Sequence, residues 1–430
     1  MKIAMVTDSF APNVGGIESQ VRDLSLQLQA RGHDVIIVTA TPATNGPRTG
    51  TYADFVDGLH VQRVTSRFLG RTPVTPVARQ QLLASLSGAD VVHIHTGLVS
   101  PFAWQAAMVC HEYSLPAVMS WHCVLTAWQY ALTPLRTILR SGIRHNIVAS
   151  RARSEVAYVT DSPHITVIPD GVSVDFWRGI ARKRLEKSGE RAVSNTSSYN
   201  NLNPVADEKG SGEAVRSPGL REVERGVSSD EKGSGEATRA SKLTVVSARR
   251  LAPRKRVRAL IDAVATVREW TGADVRLTIF GDGCLKGVLE RYLAVKNYFW
   301  VELPGKKTRE ELARAYENAD IYASLSTREA FGIATLEARA AGLPIVSPQG
   351  TGADDFIDNE FNGLLSEANN DDDFARKLAY LVVNRPLRER IANTNATTNP
   401  QENWDVVCEQ TLEEYLRVFS PRQQCFAEHQ

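Results

Sequence analysis

Apolar positions along the chain follow two alternating rhythms. Short runs dense in Val and Ile, first "KIAMVT" and then "DVIIVTA", flank a stretch from Ile17 to Arg31 whose apolar residues fall at helical spacing, a succession that predicts a βαβ unit. Further strand-like runs follow at "DVVHIHT", "AVMSW", "NIVAS" and "ITVIPDG". Each is apolar enough for burial on both faces, as parallel strands covered by helices must be. A first doubly wound domain is expected over residues 1–169. The rhythm resumes at "KLTVVSA", with a helical pattern from Arg256 to Trp270, then "VRLTIFGDG", "FWVELPG", "DIYASLS" and "LPIVSP". These predict a second α/β domain from residues 170–180 and 242–403. Finally Trp404, Val407, Leu412, Tyr415 and Leu416 lie at helical spacing, so a helix over 404–419 is expected to pack back across the first domain.

Residues 181–241 break the rhythm. They are rich in Ser, Gly, Glu, Lys and Asn, with Tyr199 as the only aromatic, a composition that cannot build a core and reads as a low-complexity, disordered insertion. Within it "DEKGSGEA" occurs twice, at Asp207 to Ala214 and Asp230 to Ala237. Two readings stand, a plain surface insertion or a regulatory or docking segment.

Bulk composition narrows the class. The 430 residues are 43% apolar and 23% charged, which is globular, and a formal charge of +1 supplies no global attraction for nucleic acid or anionic membrane. Five cysteines show neither paired nor metal-like spacing, so no disulfide framework or zinc site is expected and a reducing cytoplasm fits. An acid at Asp8 and the lack of any run of about 18 apolar residues speak against a signal peptide and a membrane span. Charge is uneven, however. Tyr113 to Ser154 contains no acid but holds Arg136, Arg140, Arg144, Arg151 and Arg153. Arg136, Arg140 and Arg144 recur every four positions among Leu132, Leu135, Leu139 and Ile143, which describes either an ordinary surface helix or a cationic face for an anionic membrane. The expected location is cytoplasmic, with peripheral attachment to the inner face of the plasma membrane under the second reading.

The candidate chemistry sits where strands end. In "STREAFGIATLEARAAGLPIVS" the chain leaves a strand, turns at Glu329 to Gly332 and starts a helix near Ile333. The first N–H groups of that helix have no partner within it and suit a diphosphate. Glu337 follows one turn in, within reach of a ribose hydroxyl. "SARRLAPRKRV" places cations after the first strand of the second domain, at the carboxyl end where doubly wound sheets bind ligands. In "NVGG", Gly15 and Gly16 lie between strand and helix, where a missing side chain lets backbone approach a phosphate or sugar, or simply makes a tight turn. His122 stands at a strand's carboxyl end in "SWHCV". His93 and His95 alternate along their strand and are read as pointing to opposite faces, both structural, with His95 near the cleft.

This ordered set, with "SFAPNVGGIE", "IPDGVSVDFW" and "FGDGCLK", resembles the retaining glycosyltransferases of family four, which have the two-domain GT-B fold. It is similar in particular to the GDP-mannose-dependent mannosyltransferases that act on phosphatidylinositol. The resemblance implies that Arg250 and Lys255 hold the donor phosphates, Glu329 bonds the donor sugar and Glu337 the ribose. It sets Gly16 beside the donor phosphate, turns His122 toward the transferred sugar and puts Lys306 and Lys307 near the base or phosphates. Gly15, Phe331, Gly332, Ile333 and Ala334 complete the implied donor site, with His122, Arg250, Lys255 and Glu329 as its catalytic group. Arg249 occupies a position where the family has Gly and is assigned no contact; Arg254, Arg256 and Arg258 are read as solvated. "TGADDFIDN" carries Asp355 where the family has Glu.

The implied reaction moves a hexose, with retained anomeric configuration, from a nucleoside-diphosphate sugar to a lipid or glycan acceptor. GDP-mannose is expected ahead of UDP-glucose, with no metal, no cofactor and no nucleic-acid partner. Three rivals are weighed: a nucleotide-sugar epimerase, a nicotinamide-dependent oxidoreductase, for which GxGxxG is missing after the first strand, and a non-catalytic nucleotide-sugar sensor, which would have no need of Arg250, Lys255 and Glu329.

Overall fold

A computed structural model describes residues 1–13, 15–65, 76–97, 99–123, 143, 145–149, 152–197 and 242–427. The first part of the chain forms β1 (Lys2–Thr7), α1 (Gly16–Ala30), β2 (Asp34–Thr39), β3 (Gly50–Val56), β4 (Leu59–Thr65), α2 (Pro76–Leu86), β5 (Val91–Thr96), α3 (Pro101–Glu112), β6 (Ala117–Trp121), β7 (His145–Val148), α4 (Arg153–Thr160) and β8 (His164–Val167). Its eight strands lie in the order β3-β4-β2-β1-β5-β6-β7-β8, parallel throughout except for the antiparallel β3–β4 pair.

After α5 (Val174–Ser197) come β9 (Leu243–Ala248), α6 (Val257–Thr271), β10 (Val275–Phe280), α7 (Lys286–Lys296), β11 (Val301–Gly305), α8 (Arg309–Glu317), β12 (Ile321–Ala323), α9 (Ile333–Ala340), β13 (Ile345–Pro348), β14 (Leu364–Ser366), α10 (Asp371–Val383), α11 (Arg385–Thr397) and α12 (Trp404–Ala427). This second sheet is wholly parallel, in the order β11-β10-β9-β12-β13-β14. The chain is therefore α/β with two doubly wound sheets. Strand order reverses direction at β1 in one and at β9 in the other, and such switch points open a crevice at the strands' carboxyl ends.

Three features depart from the sequence pattern. The β3–β4 hairpin is absent from the predicted elements because β3 is an edge strand covered on one face only, so it offers no continuous apolar run. Its signal is the turn: Asp57 and Gly58, both at positive φ, make the two-residue loop that Asp-Gly favours. β8, at the other edge, is partly exposed instead of buried on both faces. The insertion predicted from residue 181 starts later, since α5 continues through it. Ala181 is fully buried, Arg184 donates from Nη1 to the Tyr316 carbonyl at 2.6 Å, and Lys187 pairs with Glu317. A long, charged side chain can hold a helix to its neighbour without an apolar stripe, which is why composition misled at that boundary. The remainder of the segment and the Arg136, Arg140 and Arg144 face lie outside the described residues.

The two sheets are joined where the chain crosses between them. Gln20 of α1 grips Gly171 through both its backbone groups, at 2.8 and 3.0 Å, and the Val172 N–H donates to the Glu402 carbonyl at 2.8 Å, so the outgoing and returning strands of the crossing run side by side. α12 then lies on the first sheet: Trp404, Val407, Cys408 and Tyr415 are buried in a cluster with Ile3, Met5, Val21 and Val118. Leu416, read as part of the same stripe, is exposed. Among the described residues no helix is long and apolar enough to cross a membrane.

Candidate active site

The carboxyl ends of β1, β5 and β6 face those of β9, β10 and β12 across a cleft of about 590 Å³. Gly15, Gly16, His122, Arg250, Lys255, Lys306, Glu329, Phe331, Gly332, Ile333, Ala334 and Glu337 all line it. Asp355 does not. Its segment contributes through backbone instead, the Gly352 N–H donating to the Glu329 carbonyl at 3.0 Å and so holding the turn that precedes α9.

That turn ends at Gly332, whose φ of 97° lies in the left-handed region that side chains resist. Gly332 caps α9 without a side-chain hydrogen bond. Thr335 and Leu336 already donate to its carbonyl, which leaves the N–H groups of Ile333 and Ala334 at the cleft wall, where a helix N-terminus attracts anions. Opposite it, the loop after β9 supplies cations. The Lys255 ammonium donates to Glu329 Oε2; burial lowers the lysine pKa and the neighbouring carboxylate opposes that shift. Arg249 also lines the cleft, although the sequence assigned it no contact, and it braces the loop, donating from Nη1 to the Lys255 carbonyl at 3.0 Å and from Nη2 to the Ala323 carbonyl at 3.3 Å. Arg250 reaches across the cleft: its Nη2 lies 3.1 Å from where a Cβ on Gly15 would stand.

Of the neighbouring charges expected to be solvated, Arg254 and Arg258 are exposed, and Arg256 is partly secluded in an ion pair. Arg254 is exposed but lines the cleft, Arg256 pairs with Asp371 at 2.6 Å, and Arg258 lies 4.5 Å above the Tyr292 ring. Lys306 and Lys307 both line the cleft, and Lys307 also binds Glu311 at 2.9 Å on the first turn of α8.

On the first sheet, His122 Nδ1 stands 3.3 Å from Asp170 Oδ1 and its Nε2 stands 3.0 Å from His95 Nδ1. A carboxylate at Nδ1 selects the tautomer with hydrogen there, so Nε2 accepts from His95. His93 and His95 do not point to opposite faces: two residues apart in a strand they share one face, and their ring centroids are 4.1 Å apart. His93 in turn meets the Tyr415 hydroxyl and Ser120 Oγ, both at 2.6 Å. Burial pushes His93 down to about 3 and His95 well below its usual value, so both are neutral.

Sequence reasoning missed Asp8, Glu18 and Asp170. Asp8, directly after β1, accepts from the Phe102 and Ala103 N–H groups at 3.0 and 3.1 Å, and burial raises its pKa to about 6. Glu18 takes a 2.7 Å hydrogen bond from Ser9. Acids at the carboxyl ends of strands beside a glycine turn were the available signal, though one that many structural residues share.

Glu337 is in the cleft wall with 14% of its side chain exposed, and burial raises its pKa to about 7. Arg309 of α8 lies 3.8 Å from it and also pairs with Asp23 of α1, on the other side of the cleft.

Two parallel sheets facing across a cleft lined by fixed cations, a helix N-terminus and paired acids define a glycosyltransferase of GT-B architecture. Residues 14–176 match the model described as Glycosyltransferase Family 4, and residues 229–398 match Glycosyl transferases group 1. The chain therefore carries both glycosyltransferase domains and is a hexosyltransferase. It is 23% identical over 439 residues to a GDP-mannose-dependent alpha-mannosyltransferase of Corynebacterium glutamicum, covering 98% of this chain and 90% of the relative. It is also 23% identical over 402 residues to the alpha-monoglucosyldiacylglycerol synthase of Acholeplasma laidlawii, covering 93% of each. Among solved structures, Anabaena HepE in complex with UDP and glucose superposes with a TM-score of 0.66 at 17% identity, over 96% of this chain and 98% of that one.

Proposed function

We propose that this hexosyltransferase moves mannose from GDP-mannose to a lipid or glycan acceptor with retention of anomeric configuration and without a metal. The observation that carries the reading is the meeting of Arg250, Lys255, Glu329 and the open end of α9 in one cleft. As the anomeric carbon–oxygen bond breaks, negative charge grows on the departing diphosphate. Arg250, Lys255 and the N–H groups of Ile333 and Ala334 are pre-placed to stabilise it, the role a metal plays elsewhere. Glu329 accepts from a donor-sugar hydroxyl while keeping Lys255 charged. The acceptor oxygen attacks the anomeric carbon from the face the diphosphate leaves, and its proton passes to the departing phosphate oxygen. His122, oriented by Asp170 and His95, faces the transferred sugar. Closure of the two sheets excludes water and limits hydrolysis.

The C. glutamicum relative's name supports GDP-mannose, and a second HepE structure, in complex with UDP-glucose, keeps that donor as the second reading. The A. laidlawii relative is named for a lipid product, which supports a lipid acceptor. Attachment to the inner, anionic face of a membrane through Arg136, Arg140 and Arg144 rests on their spacing in sequence.

The test incubates the protein with GDP-mannose or UDP-glucose, with and without vesicles of acceptor lipid, in the presence of a chelator. Consumption of GDP-mannose that requires acceptor and survives chelation is expected. Conversion of donor without acceptor supports the epimerase instead, and loss of turnover on chelation overturns the metal-free mechanism.

A further inference from the structure

Arg309 is one cation between two acids on opposite sides of the cleft. Its Nη2 pairs with Asp23 of α1 and lies 3.8 Å from Glu337 Oε1 of α9, while its guanidinium carbon is 6.0 Å from the centre of the Phe176 ring. All three ionic groups are secluded, with side-chain exposures of 24% for Arg309, 7% for Asp23 and 14% for Glu337. Two carboxylates and one guanidinium carry a net negative charge, which a secluded site resists. One guanidinium pairs fully with one carboxylate, and the distances show that Asp23 holds it. Glu337 has the weaker share, although it is the acid turned to the cleft.

From this geometry we propose that Arg309 is a positioning residue: by dividing its charge between Asp23 and Glu337 it couples the placement of α1 to the readiness of Glu337 to accept the ribose hydroxyls of a nucleoside diphosphate. The inference rests on the donor-site reading above. When α1 holds Arg309, Glu337 is left as the acid that gains most from ligand hydrogen bonds. When Asp23 loses its charge or α1 withdraws, Arg309 turns to Glu337 and fixes it as a carboxylate. Asp23 faces Glu337 from α1, and Arg309 and the buried Tyr316 act on it from α8. α5 presents the uncharged Phe176 ring to the same guanidinium.

The experiment measures GDP, UDP and ADP binding by calorimetry on the full chain between about pH 5.5 and 8.5, for wild type, Arg309→Met, Arg309→Lys and Asp23→Asn. In the wild type the affinity for the preferred nucleotide rises with pH as Glu337 ionises, by about tenfold per unit of proton affinity lost on binding. Asp23→Asn moves the midpoint of that rise to lower pH. Arg309→Met moves it higher and weakens binding about tenfold at neutral pH, a loss carried by KM and not kcat in donor turnover. Arg309→Lys, a cation without the fork to reach both acids, falls between. If Asp23→Asn and Arg309→Met change only melting temperature, with the midpoint unmoved, Arg309 is a structural tie and the inference fails. If wild type binds none of the three nucleotides, the donor-site reading itself fails, and this inference with it. Asp23→Asn keeps the test decisive should Arg309→Met not fold.

Discussion

At the scale of single residues, Lys255 and Glu337 show how seclusion prepares a charge for a ligand. Lys255 stays paired with Glu329 in a place that disfavours its ammonium, so an arriving phosphate meets a cation already stripped of much of its water. Lys255→Met is expected to lower kcat/KM for GDP-mannose by about 10²–10³-fold, the usual loss of one preorganised charge-stabilising donor. A value within a few-fold of wild type in steady-state kinetics would remove Lys255 from the mechanism. Glu337 carries the reverse burden. Its folded pKa near 7 lies above the usual value of 4.5, so the stability it contributes is fully present below about 4.5 and is lost as pH rises through 7. Glu337→Gln should therefore raise the melting temperature of the ligand-free protein at pH 8, with the gain vanishing near pH 4, while nucleotide protection is lost. Thermal melts across pH check both halves. These two residues were legible because their motifs carry them. Asp8 was not, since an acid after a first strand acquires meaning only once the N–H groups of Phe102 and Ala103 are seen to meet it.

At the scale of elements, the helical and strand periods located most of both sheets, and the departures have common causes. An edge strand such as β3 buries one face and gives a weak pattern, and a charged helix such as α5 is held by Arg184 and Lys187 reaching to α8 and the turn after it. α12 was legible from Trp404, Val407 and Tyr415 at helical spacing. Its return to the first domain was legible too, but not the close fit of Trp404 on Gly171, where an added Cβ would come within 2.4 Å of the indole. Gly171→Ala is expected to cost about 1–3 kcal/mol through overpacking of this crossing. Trp404→Ala should cost about 3–5 kcal/mol through the cavity it leaves. Urea denaturation measures both, and a Gly171→Ala protein as stable as wild type would show that the crossing yields more than its packing implies.

At the scale of the whole molecule, the chain's own order of strands and helices determined that two parallel sheets would form, because period, turn chemistry and buried runs are local properties that need no partner to be read. The residues that the structure gathers in the cleft, Arg250, Lys255, Glu329 and Glu337 among them, were equally readable from motif and place. Only the tertiary structure decided which of them share a charge. Asp23 and Arg309 are 286 positions apart, and His122 meets His95 and Asp170 through three separate strand ends. Electrostatic coupling depends on distance and seclusion in space, and neither leaves a trace in the spacing of residues along a chain.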